Sequence, residues 1–295
     1  MPRLLAALAL ALLLASLARP QVQRMFLKER ATVILVVDTS RSMQAEDVRP
    51  TRLGAAQQAI HDFLDQAPER LNVGLVVFAG EAQVATPPTK DRELVGAAVD
   101  DIAMFSLFGG TAIGDALQTA VEVGKQILES EPPPEGEIAA PADNRHYVQF
   151  TNCEEEGPVS ILFLSDGAQT RGILQPLEGA ARAKEACIPV FTIALGTAEG
   201  VIDRGILGGG FPGGGGGGGG GSDPGSRFIP VPPDPVTMQQ IAEMTGGEFS
   251  EAHSADALER AYDKLGSKLS REPGESEVTF LFVALAAGLL LAAGV

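Results

Sequence analysis

Tryptophan is absent from this 295-residue chain, and the other aromatic residues are few, with 13 Phe and 2 Tyr. Because 45% of the residues are hydrophobic, the chain can still bury a substantial core. That core has to consist mainly of Val, Ile, Leu and Ala, which are typical of parallel strands covered by helices on both faces. The shortage of aromatic residues therefore favours an α/β fold.

Basic residues are also in short supply. The chain has 22 Lys and Arg against 38 Asp and Glu, which gives a net charge of −16. Binding to a phosphate backbone needs a basic surface. We therefore expect no nucleic-acid partner.

Common catalytic motifs are missing as well, since the chain has neither a G-x-S-x-G elbow nor a G-x-x-x-x-G-K-[ST] phosphate loop. The three histidines, His61, His146 and His253, lie far apart in the sequence and suggest neither a catalytic triad nor a zinc site. A phosphatase of the haloacid type would need Asp at position 40, where Ser40 stands. We predict that the protein is not an enzyme, and a metal-dependent phosphatase-like activity is the weaker alternative.

Glycine is abundant in only one region. Of the 35 Gly residues, 14 fall within residues 205–225, so the rest of the chain has an ordinary glycine content. A polyglycine run cannot build a core, and its match to G-x-G-x-x-G lies outside a strand-to-helix turn. We predict inserted surface loops at residues 205–225 and at residues 131–158, where no hydrophobic period is present.

Hydrophobic segments occupy both ends of the chain. Residues 4–18 are uncharged, so residues 1–19 are either a transmembrane helix or a signal sequence. Residues 278–295 have no charge and no polar face, and a helix of about 18 residues spans roughly 27 Å. We predict a transmembrane helix at residues 278–295 and an integral protein of the cell membrane. A hydrophobic run that reaches the last residue also fits a truncated chain.

Apolar runs and amphipathic stripes alternate between these ends. Together they predict a doubly wound, Rossmann-like, mostly parallel sheet over residues 31–271. Buried strands are predicted at residues 31–37, 72–78, 159–164 and 188–195, with an edge strand at residues 81–86. Helices are predicted around Leu53 to Ala67 and Ile113 to Leu128, and at residues 175–185, 235–244 and 255–269.

Polar side chains gather where two of the predicted strands end. Asp38 ends the first strand and is followed by Ser40 and Ser42, and Asp166 follows another apolar run. The carboxyl ends of parallel strands line one crevice, so the two aspartates should meet if their strands are neighbours. Thr111, just before a predicted helix, adds another hydroxyl. Such all-oxygen donors suit Mg²⁺ or Mn²⁺, although each residue alone also has ordinary capping and turn roles.

The five positions, in the segments DTSRS, GGT and SDG, resemble the metal-ion-dependent adhesion site (MIDAS) of von Willebrand factor type A (VWA) domains. That resemblance implies that Ser40, Ser42 and Thr111 contact the cation directly and that the two aspartates act largely through water. An open position at the cation would then accept an Asp or Glu from a protein partner.

Four longer segments around these positions narrow the resemblance: TVILVVDTSRSMQAEDVRPTRL, GGTAIGDAL, ILFLSDG and VPPDPVTMQQIAEMTGGEF. They are similar to segments of membrane-anchored bacterial proteins of the aerotolerance (Bat) type. It implies a VWA domain that binds a protein ligand through its cation, together with other VWA proteins and an AAA+ ATPase of the MoxR type. The residues themselves leave a second possibility, a purely structural metal that joins the three loops.

Only two cysteines occur, Cys153 and Cys187, and each lies shortly before a predicted strand. In this fold those strands are neighbours, which allows either a disulfide or two separate thiols. A disulfide would place the domain in an oxidising space, whereas the basic residues that follow residue 18 are typical of a cytoplasmic flank. We favour an extracytoplasmic VWA domain.

Overall fold

The computed structural model describes residues 8, 10–11, 14–17, 21–27, 31–102, 104, 109–130, 157–203, 227–269, 271–277 and 279–293. The chain divides into two compact units. One unit is Glu29–Ser270, and the other combines Met1–Lys28 with Arg271–Val295.

The strands, in chain order, are β1 (Gln21–Leu27), β2 (Thr32–Asp38), β3 (Asn72–Phe78), β4 (Ala82–Thr89), β5 (Val159–Ser165), β6 (Val190–Leu195), β7 (Val201–Asp203), β8 (Phe228–Pro230), β9 (Phe249–Ala252) and β10 (Arg271–Glu277). The α-helices are α1 (Arg52–Gln66), α2 (Arg92–Asp100), α3 (Ile113–Ser130), α4 (Pro176–Glu185), α5 (Pro235–Thr245), α6 (Ala255–Leu269) and α7 (Thr279–Ala293), and a short 3-10 helix spans Arg41–Gln44.

A six-stranded sheet in the order β4-β3-β2-β5-β6-β9 forms the centre of the larger unit. All neighbouring pairs are parallel except β3 and β4. The antiparallel β4 lies at the edge and contains Pro87 and Pro88, which an edge strand tolerates because one side of its backbone needs no ladder partner. The predicted doubly wound, mostly parallel sheet is confirmed.

Helices cover both faces of this sheet, which is why its central strands can be apolar along their whole length. Successive residues of β2 point to opposite faces. Val33, Leu35 and Val37 pack with α1, α2 and α6, whereas Ile34 and Val36 pack with α3, α4 and α5. The two faces thus hold two separate cores, and the carboxyl ends of the strands lie at one edge between them.

Several short elements were not predicted from the sequence. The nine-residue α2 and the four-residue β9 are too short to show a clear hydrophobic period, and β7 and β8 have three residues each. Most of the two predicted inserted loops, residues 131–156 and 205–225, lies outside the described residues.

In the unit formed by the chain ends, β1 and β10 pair antiparallel, from Gln21 opposite Glu277 to Leu27 opposite Arg271. The helix α7 follows β10. Within the described part of the chain, no helix combines the length and the hydropathy needed to cross a membrane.

Candidate metal centre

Two buried aspartates lie at the carboxyl edge of the sheet. Strands β2 and β5 are adjacent and parallel, with Val37 opposite Leu164. The residues at the carboxyl ends of these two strands therefore lie side by side. Asp38 is 0% exposed and Asp166 is 1% exposed. The structure therefore brings the two predicted carboxylates together beneath the surface.

The carboxylate of Asp38 is held on both oxygens. Oδ1 accepts a hydrogen bond from the backbone N–H of Ser40 at 2.8 Å, and Oδ2 accepts one from Ser165 Oγ. Ser165 Oγ in turn accepts from the N–H of Gly167, where φ is +81°. Ser165 was not predicted as part of the site, although it immediately precedes Asp166 in the sequence.

The two predicted serine ligands lie next to each other. Their Oγ atoms are 3.0 Å apart because the chain turns into the 3-10 helix directly after Ser40. The side chain of Met43 anchors that turn in the core. Ser40 is buried, and Ser42 is partly exposed, so the hydroxyl groups lie between the buried carboxylates and the solvent.

Thr111 reaches the site from a third loop. Its N–H donates to Thr170 Oγ1 at 3.0 Å, and its carbonyl oxygen accepts from the N–H groups of Thr170 and Arg171 at 3.1 Å each. Gly110 supplies the turn before it with a φ of +108°, a conformation that side chains disfavour. These hydrogen bonds join the Thr111 loop to the loop that follows Asp166.

The electrostatics of the pair favour a bound cation. Burial and the negative charge of Asp166 raise the pKa of Asp38 to about 7. Burial also raises the pKa of Asp166, against hydrogen bonding from Ser42 and the positive charge of Arg52. A divalent cation next to both carboxylates would remove this repulsion. The donors are hydroxyl and carboxylate oxygens, which fit Mg²⁺ or Mn²⁺.

Arg52, a residue that was not predicted as part of the site, compensates part of the charge. It begins α1 and is 0% exposed. Its Nη1 donates to Asp166 Oδ2 at 3.3 Å, and its Nε and Nη2 donate to the two carboxylate oxygens of Asp47 at 2.9 and 2.7 Å. Nη2 also donates to Val231 O at 3.0 Å. One guanidinium group thus joins two aspartates and the segment after β8.

The surroundings of Arg52 are fitted to its guanidinium group. A Cβ added at Gly196 or at Gly200 would overlap guanidinium atoms of Arg52. Partial burial raises the pKa of Asp47, but hydrogen bonds from Arg52 and Thr197 lower it below its usual value. One feature of the sequence indicates that Arg52 is buried. It lies four residues before Ala56, and therefore on the apolar face of the predicted helix.

Cys187 lies just before β6, at the end of the sheet opposite the candidate metal centre, and it takes part in a disulfide. The chain's other cysteine, Cys153, lies outside the described residues.

Comparison with known proteins supports the assignment of the fold. A family model of the von Willebrand factor type A domain matches residues 33–168. A UPF0353 protein of Nocardia farcinica is 34% identical over 277 residues, which cover 91% of this chain and 71% of that protein.

Two solved structures are also similar. The conserved hypothetical protein BatB from Bacteroides thetaiotaomicron has a TM-score of 0.58 and 25% identity, covering 81% of this chain and 98% of its own. An aerotolerance-related membrane protein from Bacteroides fragilis shares the fold with a TM-score of 0.55 and 24% identity, covering 81% and 99%.

The sheet order, the helices on both faces and the family match define a von Willebrand factor type A domain protein, as the sequence resemblance implied. The similarity to the Nocardia protein is more specific: the chain belongs to the UPF0353 family. It is also similar in sequence and fold to BatB from Bacteroides thetaiotaomicron.

Proposed function

We propose that this VWA domain binds a protein ligand through a divalent cation, Mg²⁺ or Mn²⁺. Asp38, Ser40, Ser42, Thr111 and Asp166 would hold the cation. The observation that carries the proposal is the buried pair of carboxylates beneath the adjacent Ser40 and Ser42 hydroxyls. Such a pair needs a counter-charge, and the partly exposed side of the site allows a partner to approach.

The hydrogen bonds of the aspartates support binding rather than catalysis. Asp38 accepts from Ser40 and Ser165, and Asp166 is paired with Arg52. These interactions orient both carboxylates toward the site of the proposed cation, and no nucleophile-and-base pair of the kind used in catalysis accompanies them among the described residues. VWA domains in general act as adhesion or scaffold modules, and we propose the same non-enzymatic role here.

The partner should present an acidic side chain. When bound, the cation supplies positive charge and an open coordination position. The serines and Thr111 contribute neutral oxygens, and the two carboxylates are already hydrogen-bonded within the protein. A carboxylate from the partner is the group that best completes such an oxygen shell.

We also propose the cellular setting that the Bat relationship suggests. The domain would be anchored in the cell membrane through residues 1–19 and 278–295, face the extracytoplasmic side, and act with other VWA proteins and a MoxR-type AAA+ ATPase. Support comes from the similarity to the aerotolerance-related membrane protein of Bacteroides fragilis. The disulfide at Cys187 also supports it, since disulfides persist in oxidising compartments.

The competing function is a purely structural metal that joins the three loops. Affinity capture with the purified full chain separates the two. If the proposal is right, a specific protein is retained in Mg²⁺, released by a chelator, and not retained by Thr111→Ala. The matched control is Thr119→Ala, which removes a hydroxyl from α3 that bonds Asp115 O. Metal-dependent stability without any chelator-sensitive partner would favour the structural metal.

A further inference from the structure

Two arginines converge on the turn that leads into Thr111. The guanidinium group of Arg41 lies against Gly109, where an added Cβ would be 3.7 to 3.8 Å from three of its atoms. Arg171 donates from Nη1 to the carbonyl oxygen of Gly109 at 3.2 Å. Two positively charged groups are therefore adjacent to one glycine.

Both arginines are attached to the candidate metal centre through the main chain. Arg41 stands between Ser40 and Ser42 in the sequence. The N–H of Arg171 donates to Thr111 O at 3.1 Å, and its aliphatic stem packs on Gly110, where an added Cβ would be 2.9 Å from Arg171 Cβ. Their position relative to the site is thus set by the same loops that carry the proposed metal ligands.

Neither arginine forms an ion pair with any residue that the structure describes. Both side chains are exposed, in a protein whose net charge is −16. Like charges at short distance repel each other, and a guanidinium group is well suited to bind a carboxylate through two hydrogen bonds. The pair is therefore suited to an anionic group that comes from outside the chain.

We propose that Arg41 and Arg171 bind a second carboxylate of the protein ligand, next to the one that completes the metal shell. This inference rests on the proposed function. Gly109 and Thr111 are two residues apart, so their Cα atoms are separated by at most about 7.6 Å. In an extended strand, side chains at i and i+2 lie on one face about 7 Å apart. An extended ligand segment with acidic residues at positions i and i+2 would therefore place one carboxylate at the cation and the other at the arginines.

An apolar contact point near the arginines favours a protein segment over a free anion. Ile173 is 92% exposed, yet its backbone is fixed because its N–H donates to Asp115 Oδ2 at 2.9 Å. A single exposed apolar side chain is common on protein surfaces, but at this position, two residues after Arg171, it offers a peptide an apolar contact that a free anion could not use. A protein partner with an apolar residue close to its acidic pair would cover it.

A library of random short peptides displayed on phage tests the proposal. The full chain is immobilised in Mg²⁺, and bound phage are eluted with a chelator. We expect the wild-type chain to enrich peptides with acidic residues at i and i+2. The double variant Arg41→Gln with Arg171→Gln should enrich peptides with a single acidic residue, and it should bind a wild-type-selected peptide about tenfold more weakly.

The matched control is Arg70→Gln with Arg182→Gln, which removes the same charge from two exposed arginines. Arg70 precedes β3 and Arg182 lies in the last turn of α4, so both are at the opposite edge of the sheet. This variant should bind the same peptide within about twofold of wild type, because distant exposed charges are screened.

Three results would overturn the inference. The arginine subsite is wrong if the wild-type chain enriches peptides with one acidic residue, or if the Arg41 and Arg171 double variant binds as tightly as wild type. Metal-dependent ligand binding would remain in place in both cases. A wild-type chain that enriches no chelator-sensitive peptide removes the proposed function as well, and with it the subsite. The Thr111→Ala variant should lose all chelator-sensitive enrichment.

Discussion

Arg52 and Asp166 form a buried ion pair in which Nη1 lies 3.3 Å from Oδ2. The same guanidinium group is bound more closely by Asp47, with Nη2 2.7 Å from Oδ2. The single positive charge is thus shared between two carboxylates, and the carboxyl group of Asp38, whose pKa is raised to about 7, lies nearby. One arginine therefore does not balance the acidic groups at this edge of the sheet, which is consistent with the proposed cation.

Asp166 is also held in place by residues outside the loops that carry the other proposed ligands. Arg52 donates to Val231 O, and the N–H of Asp234 donates to the carbonyl oxygen of Asp166 at 2.6 Å. Both the side chain and the main chain of Asp166 therefore depend on the segment between β8 and α5. A substitution in that segment should therefore alter the position of Asp166 in the candidate metal centre.

We predict that Arg52→Met lowers the free energy of unfolding of the full chain by about 3–5 kcal/mol, because it leaves the buried Asp166 and the partly buried Asp47 without their shared cation. Denaturant unfolding measures the loss. Arg70→Met, at an exposed position, is the control and should change stability by less than about 0.5 kcal/mol. A loss at Arg52 no larger than at Arg70 would show that the buried pair contributes nothing to the fold.

The central sheet and the position of the candidate site could be predicted from local sequence patterns. The run ATVILVV at residues 31–37 predicted a buried central strand because it is apolar almost throughout, and all seven residues of the observed β2 are buried. The acidic residues after two such strands predicted a shared site because neighbouring parallel strands end at one edge. These inferences needed only the period of the hydrophobic pattern and the geometry of a parallel sheet.

Other features depended on contacts that no local pattern encodes. Arg52 binds Asp166, which is 114 residues away in the sequence, so only the folded chain shows that this charge is buried and paired. Gly196 and Gly200 matter because Arg52 lies against them, a relation that is equally invisible in the sequence. Long-range polar pairing was therefore the part of the site that the sequence did not reveal.

The close contact at Gly200 leads to a second prediction. A Cβ there would overlap Arg52 Nη2 and approach Asp47 Oδ2, so Gly200→Ala should destabilise the protein by about 1–3 kcal/mol through overpacking. Gly157→Ala is the matched control, because it is also buried and its nearest contact among the described residues would be 3.7 Å away, at Cys187 O. Urea unfolding of both variants measures the difference, and equal stability would contradict the tight fit around Arg52.

A third prediction concerns the metal. Mg²⁺ or Mn²⁺ should raise the thermal unfolding midpoint of the full chain, since a ligand that binds only the folded state stabilises it by about 2.7 kcal/mol at a hundredfold excess over Kd. Thr111→Ala should abolish that gain, and Thr119→Ala should keep it. Scanning calorimetry with and without a chelator gives the measurement. If the metal still raised the unfolding midpoint of Thr111→Ala by the same amount, Thr111 would not be a metal ligand.

The last prediction uses the disulfide at Cys187 to establish the side of the membrane. Structural disulfides persist in extracytoplasmic spaces and are rare in the cytoplasm. In intact cells, a membrane-impermeant thiol reagent should therefore label the protein only after a reductant of equal impermeability has been added. Cys187→Ser should remove the reductant requirement, because any thiol that the bond had masked is then free. Labelling that needs cell lysis, with or without reductant, would place the domain in the cytoplasm and contradict the proposed location.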